Sequence, residues 1–199
     1  KTVKKICACA FTYCSELSRI NIPDGVTHIE NGIFNNCPKI TKLNIPASVI
    51  SISGGIASES VTEIEVSPNN TVYTSFKGNL YSKDMTTLYC YAPGKTDTTF
   101  HLPYSVKTIG SYAFNRCAHL KNLYLYTADD LETISSYAFS DCNALICLTI
   151  PESVKYIGEN AFYYCRALEI MVPKRFGRYT THEWNDTTEY REHGCRVWT

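Results

Sequence analysis

Cysteine is the residue with the most chemical potential in this sequence, because its thiolate can bind metals or act as a nucleophile. Five of the ten cysteines lie three residues after a phenylalanine, in the pairs Phe11…Cys14, Phe34…Cys37, Phe114…Cys117, Phe139…Cys142 and Phe162…Cys165. A cysteine that recurs at a fixed place in a pattern is typical of a stacked core position. The Cα–Cβ bonds of stacked residues run in parallel, whereas a disulfide needs them to face each other. We therefore expect these five residues to be buried free thiols.

The other five cysteines do not form a convincing metal site. They are Cys7 and Cys9, separated by one alanine, and the isolated Cys90, Cys147 and Cys195. Structural zinc takes four ligands, and its cysteines are usually two to four residues apart. A disulfide from Cys195 to the body of the protein is more plausible, and its partner stays open.

A second candidate for chemistry lies near the C-terminus, where His182 and Glu183 are followed by Glu192 and His193. A metalloprotease helix needs a second histidine four residues after the first, and Asp186 occupies that position. The sequence also lacks a nucleophile elbow, a phosphate-binding loop and a dinucleotide fingerprint. It therefore predicts neither an enzyme nor a cofactor, and it assigns this segment to a polar cap.

The amino-acid composition limits the classes of molecule that this chain is expected to bind. The 199 residues are 44% hydrophobic, and 19 basic residues balance 19 acidic ones. A neutral chain offers no general field for a nucleic-acid backbone or an anionic membrane. The longest apolar stretch has six residues, from Ile6 to Phe11, whereas a membrane-spanning helix needs about 20. We therefore expect no nucleic acid and no membrane insertion.

The elements that must position these residues form a repeat. Ile45-Pro46-Ala-Ser-Val49 returns as Leu102-Pro103-Tyr-Ser-Val106 and as Ile150-Pro151-Glu-Ser-Val154. The valine position occurs at Val3, Val26, Val49, Val106, Leu131 and Val154, so most steps are 23 residues. In the five copies with a phenylalanine, it lies eight residues after that position. Such a constant spacing indicates one structural unit of about 23 residues.

Each unit contains a strand followed by a turn. The runs Leu120…Leu123-Tyr-Leu125 and Leu145…Leu148-Thr-Ile150 alternate apolar residues with others, which is the period of a strand. The proline that follows cannot continue a hydrogen-bonded ladder. A unit this short buries its apolar side only by stacking. The sequence therefore predicts a solenoid over residues 1–199 as one domain, mainly β, with short helical or 3₁₀ turns at the Ala-Phe-x-x-Cys segments.

Two segments depart from the repeat. Residues 67–100 form an insertion that we predict to be a β-hairpin, and residues 174–199 are predicted to be a degenerate last repeat and C-terminal cap. Because the sequence begins at a valine position without its preceding strand, we expect further repeats upstream in the full-length protein.

The repeated register Ile-Pro-x-Ser-Val-x-x-Ile-Gly-x-x-Ala-Phe-x-x-Cys resembles the BspA-like class of leucine-rich repeats, over about residues 1–173. That resemblance implies a secreted or cell-surface location, with any signal peptide and anchor outside this sequence. It also implies adhesion to extracellular-matrix proteins or to the surface of a host or neighbouring cell, through protein contacts or a glycan. The alternative is a structural spacer or surface coat that carries another domain.

The predicted binding surface is the exposed face of the strands. If the leucine and isoleucine positions point inward, their neighbours point outward. The predicted outward residues are Arg19, Asn21, Lys42, Asn44, Glu63, Glu65, Asn122, Tyr124, Cys147, Thr149, Glu169 and Met171. The aromatic residues of the insertion, Tyr73, Phe76, Tyr81, Tyr89 and Tyr91, form a second candidate surface, unless they pack on the solenoid itself.

Overall fold

The fold is described here from a computed structural model. It describes residues 3–125, 130–171 and 173, together with the backbone of residues 196–198. The strands assigned in this part of the chain are β1 (Lys5–Ile6), β2 (His28–Ile29), β3 (Lys42–Ile45), β4 (Ser51–Ile52), β5 (Glu63–Val66), β6 (Tyr73–Phe76), β7 (Asn79–Ser82), β8 (Thr87–Cys90), β9 (Thr99–His101), β10 (Thr108–Ile109), β11 (Asn122–Tyr124), β12 (Thr133–Ile134), β13 (Cys147–Thr149), β14 (Tyr156–Ile157), β15 (Glu169–Met171) and β16 (Arg196–Trp198).

The described residues form a β-solenoid of about seven coils, each of about 23 residues, which confirms the predicted fold class. The chain divides into two compact units, Lys1–Lys95 and Thr96–Thr199. The boundary lies inside the predicted insertion. That residues 1–199 form a single domain stays a prediction.

Most coils contribute two strands, and equivalent strands of successive coils pair in parallel. In unit 1, β1, β2 and β4 form one sheet, in which Ile6 is paired with Ile29 and Ile29 with Ile52. The longer strands β3 and β5 form the second sheet. In unit 2 the short strands β10, β12 and β14 pair in the same way, and β9, β11, β13, β15 and β16 form the longer sheet.

The turn between the two strands of a coil is closed by a repeated hydrogen bond. The backbone N–H of Val106 donates to Pro103 O at 3.0 Å, and that of Val154 donates to Pro151 O at 3.2 Å. Val26 and Val49 make the same bond to Pro23 and Pro46. Proline has no backbone N–H to donate to a neighbouring strand, so the long strand ends there. The valine three residues later closes the turn that leads into the next short strand.

The Ala-Phe-x-x-Cys segments are hydrogen-bonded turns and not helices, because residues with a left-handed backbone conformation interrupt them. Tyr137 and Asp141, two residues before and after Phe139, have φ of 57° and 60°. The N–H groups of Tyr137, Phe139 and Asp141 donate to the next coil, at Glu159 O, Ala161 O and Tyr163 O. The intervening N–H groups bond within their own turn. Left-handed residues occur at the same two places around Phe11, Phe34, Phe114 and Phe162.

The coils are packed closely enough to exclude a side chain at Gly158. A Cβ atom added there would lie 2.3 Å from the backbone nitrogen of Ser136 in the neighbouring coil. No real Cβ contact is that short, so the close approach of the two backbones requires glycine at this position.

The insertion is a three-stranded antiparallel meander, in which β7 pairs with both β6 and β8. It packs against β5, where the backbone N–H of Ile64 donates to Gly78 O at 2.9 Å. At the other end of the chain, most of the predicted cap at 174–199 lies outside the described residues. Its strand β16 pairs in parallel with β15 and so extends the sheet.

Candidate functional site

The side chains of the long strands alternate between the core and the surface as predicted. The inward residues are almost fully buried, namely Leu43, Ile45, Ile64, Leu123, Leu148 and Ile170. Their neighbours on the same strands are exposed or half-buried. The predicted outward residues therefore form an accessible surface in each unit, which we call the strand face.

In unit 1 the strand face is polar and charged. The register of β3 and β5 places Lys42 beside Glu63, and Asn44 beside Glu65. Lys42 and Glu63 form a salt bridge of 2.5 Å between adjacent coils. This hydrogen bond to Glu63 is the main cause of a raised pKa for Lys42, and the negative charge of Glu65 adds a smaller effect. Arg19 and Asn21 are also exposed, although no strand is assigned to their segment.

In unit 2 the strand face is less charged and more aromatic. One row across the parallel strands consists of Asn122, Cys147 and Glu169, and a second row of Tyr124, Thr149 and Met171. Met171 is 48% exposed, so its apolar thioether chain is accessible on this face. Cys147 is an exposed free thiol.

Two residues of this face were missed in the sequence. β9 pairs with β11, so Thr99 extends the first row and His101 the second. The His101 ring stacks on the Tyr124 ring with centroids 4.7 Å apart. The signal was present in the sequence, because Phe100-His101-Leu102-Pro103 matches Leu43-Asn44-Ile45-Pro46. The predicted insertion, residues 67–100, includes Phe100 and so interrupts this match.

The aromatic residues of the insertion do not form a second exposed surface. Tyr73, Tyr81 and Tyr91 are buried, at 3%, 0% and 1% exposure. Tyr73 and Tyr81 lie on opposite faces of the meander, because Tyr73 is paired with Ser82 and Tyr81 with Thr74. Burial raises the pKa of Tyr81 to about 12. Tyr89 is half-buried and packs edge-to-face against Tyr73. Phe76 alone among these five remains largely exposed, at 45%.

The repeated cysteines are structural donors. The Cys37, Cys142 and Cys165 thiols donate to the carbonyl oxygens of Phe11, Phe114 and Phe139 in the preceding coil, at 3.0, 2.8 and 2.9 Å. Cys117 is also buried, and Cys14 is half-buried, so four of the five thiols are buried as expected. Burial raises the pKa of Cys142 and of Cys165 well above the usual value for a thiol. These thiols are therefore protonated and poor nucleophiles at neutral pH.

Other candidate chemistry is sparse in the described residues. They contain no group of three or more His, Cys, Asp or Glu side chains arranged to hold a metal ion. Cys7 and Cys9 are exposed free thiols. The His182–His193 segment and Cys195 lie outside the described residues. None of the described segments forms a helix with the length and apolar character needed to cross a membrane.

A groove lies at one end of the unit 1 strand face, where the chain leaves β3 and β5. Its volume is about 340 Å³. Equivalent positions of three successive coils line it, namely Asn21, Ile22, Asp24, Asn44, Ile45, Pro46, Glu65, Val66, Ser67 and Pro68. Three predicted site residues, Asn21, Asn44 and Glu65, are thus brought together at one concave feature.

Comparison with known proteins supports the repeat assignment. The model of the BspA type leucine-rich repeat region matches residues 1–88 and 86–182, with six copies. No curated protein matches the sequence. A leucine-rich repeat protein from Eubacterium ventriosum ATCC 27560 is similar in structure, with a TM-score of 0.69, 28% identity, and coverage of 85% of this chain and 51% of that one.

Two further crystal structures share the fold at lower identity. The pneumococcal vaccine antigen PcpA has a TM-score of 0.65 at 24% identity, covering 85% of this chain and 48% of its own. A leucine rich cell surface protein from Faecalibacterium prausnitzii A2-165 has a TM-score of 0.50 at 23% identity, covering 86% and 64%. This chain spans about half the length of the first two structures. With the repeat model matched over most of its length, the chain belongs to the BspA-type leucine-rich repeat family.

Proposed function

We propose that this chain is a non-catalytic, adhesin-like module that is secreted or displayed on a cell surface. In this proposal its strand face binds a macromolecule of a host or neighbouring cell, such as an extracellular-matrix protein. Membership of a leucine-rich repeat family supports a role in protein interaction. The surface location and the adhesive role are parts of the proposal.

The observation that carries the proposal is the contrast between the two sides of the long strands. The inward side repeats leucine and isoleucine with almost no exposure. The outward side changes from coil to coil between amides, charges, an aromatic ring and a methionine, as in Asn44, Glu65, Tyr124 and Met171. Stacking requires only the inward set, so the outward set is available to recognise a partner along an extended surface.

Unit 2 carries the residues best suited to anchor a protein partner. Tyrosine and methionine are enriched in the buried centres of interfaces, because they provide much contact area with few polar groups. Tyr124 is held by the stacked His101 ring and Met171 projects from the same row of strands. A partner that covered this row would bury both apolar surfaces.

The test is a binding screen of the folded chain against extracellular-matrix proteins and surface glycans. The variant Tyr124→Ala/Glu65→Ala removes one strand-face side chain from each unit. The matched control is Tyr104→Ala/Glu152→Ala, which removes the same residue types from exposed positions in the proline turns. We expect saturable binding that the first variant loses and the control keeps.

The other outcomes contradict the proposal in different ways. Binding that survives in the first variant would exclude the strand face as the main contact and direct attention to exposed residues such as Phe76. Absence of binding to every candidate would favour the alternative function, a spacer that holds another domain.

A further inference from the structure

The groove at the end of the unit 1 strand face has an unbalanced charge. Asp24 of the first coil and Glu65 of the third coil both line it, and none of its ten lining residues is basic. Both residues are exposed, and neither side chain forms a salt bridge among the described residues. Two carboxylates therefore face one concave feature, and a basic side chain recorded at its rim is Lys83, whose Nζ donates to the Pro68 carbonyl oxygen at 3.5 Å.

The nearby lysine on this face is already engaged. Lys42 forms its salt bridge with Glu63 in the first row of the strand face, whereas Glu65 lies in the second row beside Asn44. Neutralising Glu65 with Lys42 would require Lys42 to give up Glu63. Lys83 at the rim would likewise have to leave the Pro68 carbonyl oxygen to reach either carboxylate.

The rest of the lining suits a long, partly apolar side chain. Ile22 and Ile45 are 4% and 2% exposed, so they form a firm floor, and Pro46 and Pro68 contribute apolar walls. Asn21 and Asn44 add amide oxygens that accept hydrogen bonds. Lysine and arginine bury their methylene stems on apolar surface while their charged ends remain near polar groups. The volume of about 340 Å³ is within the range of small ligand sites.

We propose that this groove binds a lysine or arginine side chain of the protein partner, with the cationic end between Asp24 and Glu65 and the methylene stem against Pro46 and Pro68. The inference rests on the proposed function, because it specifies the partner chemistry that one part of the strand face recognises. Charge complementarity of this kind contributes specificity and orientation more than affinity.

The geometry favours a basic side chain over a bound metal ion. A calcium ion takes six to eight oxygen ligands at 2.3–2.6 Å. The two carboxylates here come from the first and third coils, and the described residues contain no group of three or more His, Cys, Asp or Glu side chains suited to a metal. An extended ammonium or guanidinium needs no such closed set of ligands.

The experiment uses the whole chain labelled with ¹⁵N and three short peptides. These are acetyl-Gly-Lys-Gly-amide, acetyl-Gly-Arg-Gly-amide and the neutral acetyl-Gly-Gln-Gly-amide. We expect the two basic peptides to shift the side-chain amide signals of Asn21 and Asn44 in a saturable way, and the neutral peptide to shift them far less. The binding is expected to weaken as NaCl is raised, since the charges are exposed to solvent.

Charge-removing variants provide the control. Asp24→Asn and Glu65→Gln are each expected to weaken binding by about fivefold, which corresponds to the loss of one exposed ion pair. Asp97→Asn, at an exposed carboxylate in unit 2, should leave binding unchanged. Equal shifts from all three peptides, unchanged binding in both groove variants, or shifts produced by CaCl₂ and not by the basic peptides would overturn the inference.

The peptide experiment and the binding screen together distinguish failure of the groove inference from failure of the proposed function. If a matrix protein binds the strand face while the basic peptides do not bind the groove, only the groove assignment is wrong. If the peptides bind the groove while no macromolecule binds the chain, the chemistry of the groove is correct but the adhesive function is not supported.

Discussion

At the scale of single residues, the phenylalanine rings carry the packing between coils. Phe139 lies between Phe114 and Phe162, with ring centroids 5.1 and 5.2 Å away and interplanar angles of 8° and 5°. All three side chains are almost fully buried. Each ring is therefore a contact for two neighbouring coils, so the loss of one ring affects more than its own coil.

Replacement of this central ring should be severely destabilising. We expect Phe139→Ala to lower the free energy of unfolding by about 3–5 kcal/mol, because it removes buried area and leaves a cavity between two rings. Urea denaturation followed by circular dichroism measures the change. Phe76→Ala, at a phenylalanine that is 45% exposed, is the control and should cost clearly less. Similar values for both variants would contradict the assignment of Phe139 to the core.

Tyr13 is held in a conformation that most side chains avoid. Its φ is 64°, and its side chain is 77% exposed. The left-handed conformation costs a non-glycine residue about 1–2 kcal/mol, and asparagine tolerates it better. We expect Tyr13→Asn to raise the free energy of unfolding by up to about 1 kcal/mol. The control is Ser18→Asn, at an exposed residue without a positive φ, which should give no gain in thermal stability.

The residue scale is also where prediction from the sequence has a clear limit. The spacing of the cysteines predicted their burial, because a fixed place in a stacked repeat implies a fixed environment. It did not predict that Cys142 and Cys165 donate to carbonyl oxygens of the preceding coil, or that residues such as Tyr137 adopt positive φ. Both depend on the path of the backbone in the turn, which a tyrosine at a left-handed position does not signal.

At the scale of elements, each long strand has one set of side chains that stabilises the core and another set that is available on the surface. In β11 the Leu123 side chain is buried, whereas the two flanking side chains, Asn122 and Tyr124, are half-buried on the opposite face. We expect Tyr124→Ala to change the free energy of unfolding by less than about 1 kcal/mol, apart from the lost contact with His101. Leu123→Ala should cost about 2–5 kcal/mol. Thermal denaturation of the two variants compares them, and a larger loss in Tyr124→Ala would mean that the two faces are reversed.

The insertion shows why some elements were predicted less well than others. The repeats could be read because five copies share one register, so each copy confirms the others. Residues 67–100 occur once, and their aromatic residues had no register to indicate which side packs inward. The structure buries Tyr73 and Tyr81 on opposite faces of the meander and pairs β7 with two strands instead of one. Burial in a single-copy segment depends on tertiary packing, which local pattern does not encode.

At the scale of the whole molecule, the buried acids set an alkaline limit to stability. Burial raises the pKa of Cys90 to about 12, raises those of Cys142 and Cys165 well above the usual range, and raises that of Tyr81 to about 12. Free cysteine ionises near pH 8.5. The neutral thiols therefore contribute stability that is fully present below about pH 8.5 and is lost as pH rises toward their folded pKa values.

We expect the free energy of unfolding to fall steeply between about pH 9 and 11. Each buried thiol contributes a slope of about 1.4 kcal/mol per pH unit once it is ionised in the unfolded chain. Urea denaturation at a series of pH values measures the slope, with Cys90→Ala as the comparison. The variant should have a shallower slope, whereas an unchanged slope would show that Cys90 is not protected from ionisation.

The whole-molecule level is also where function is hardest to predict from sequence. The inward residues determine the solenoid, and the sequence displays them as a period. The outward residues Asn21, Asn44 and Glu65 are aligned by the same period, but the groove they line with Asp24 depends on the path of the backbone at the corner of three successive coils. A repeat therefore predicts which residues share a face and does not predict the shape of that face.

The repeated bonds between coils have a consequence for how such a protein can change in length. A thiol in each of several coils donates to the phenylalanine carbonyl before it, and every second turn amide donates to the coil after it. Duplication or deletion of one complete coil preserves the same hydrogen bonds between neighbouring coils. An insertion of one residue beside Phe139 would instead misalign all the hydrogen bonds that this turn makes with the coils on either side. During evolution, lineages of this fold should therefore gain or lose length in whole coils, with smaller insertions confined to the loops outside the bonded turns.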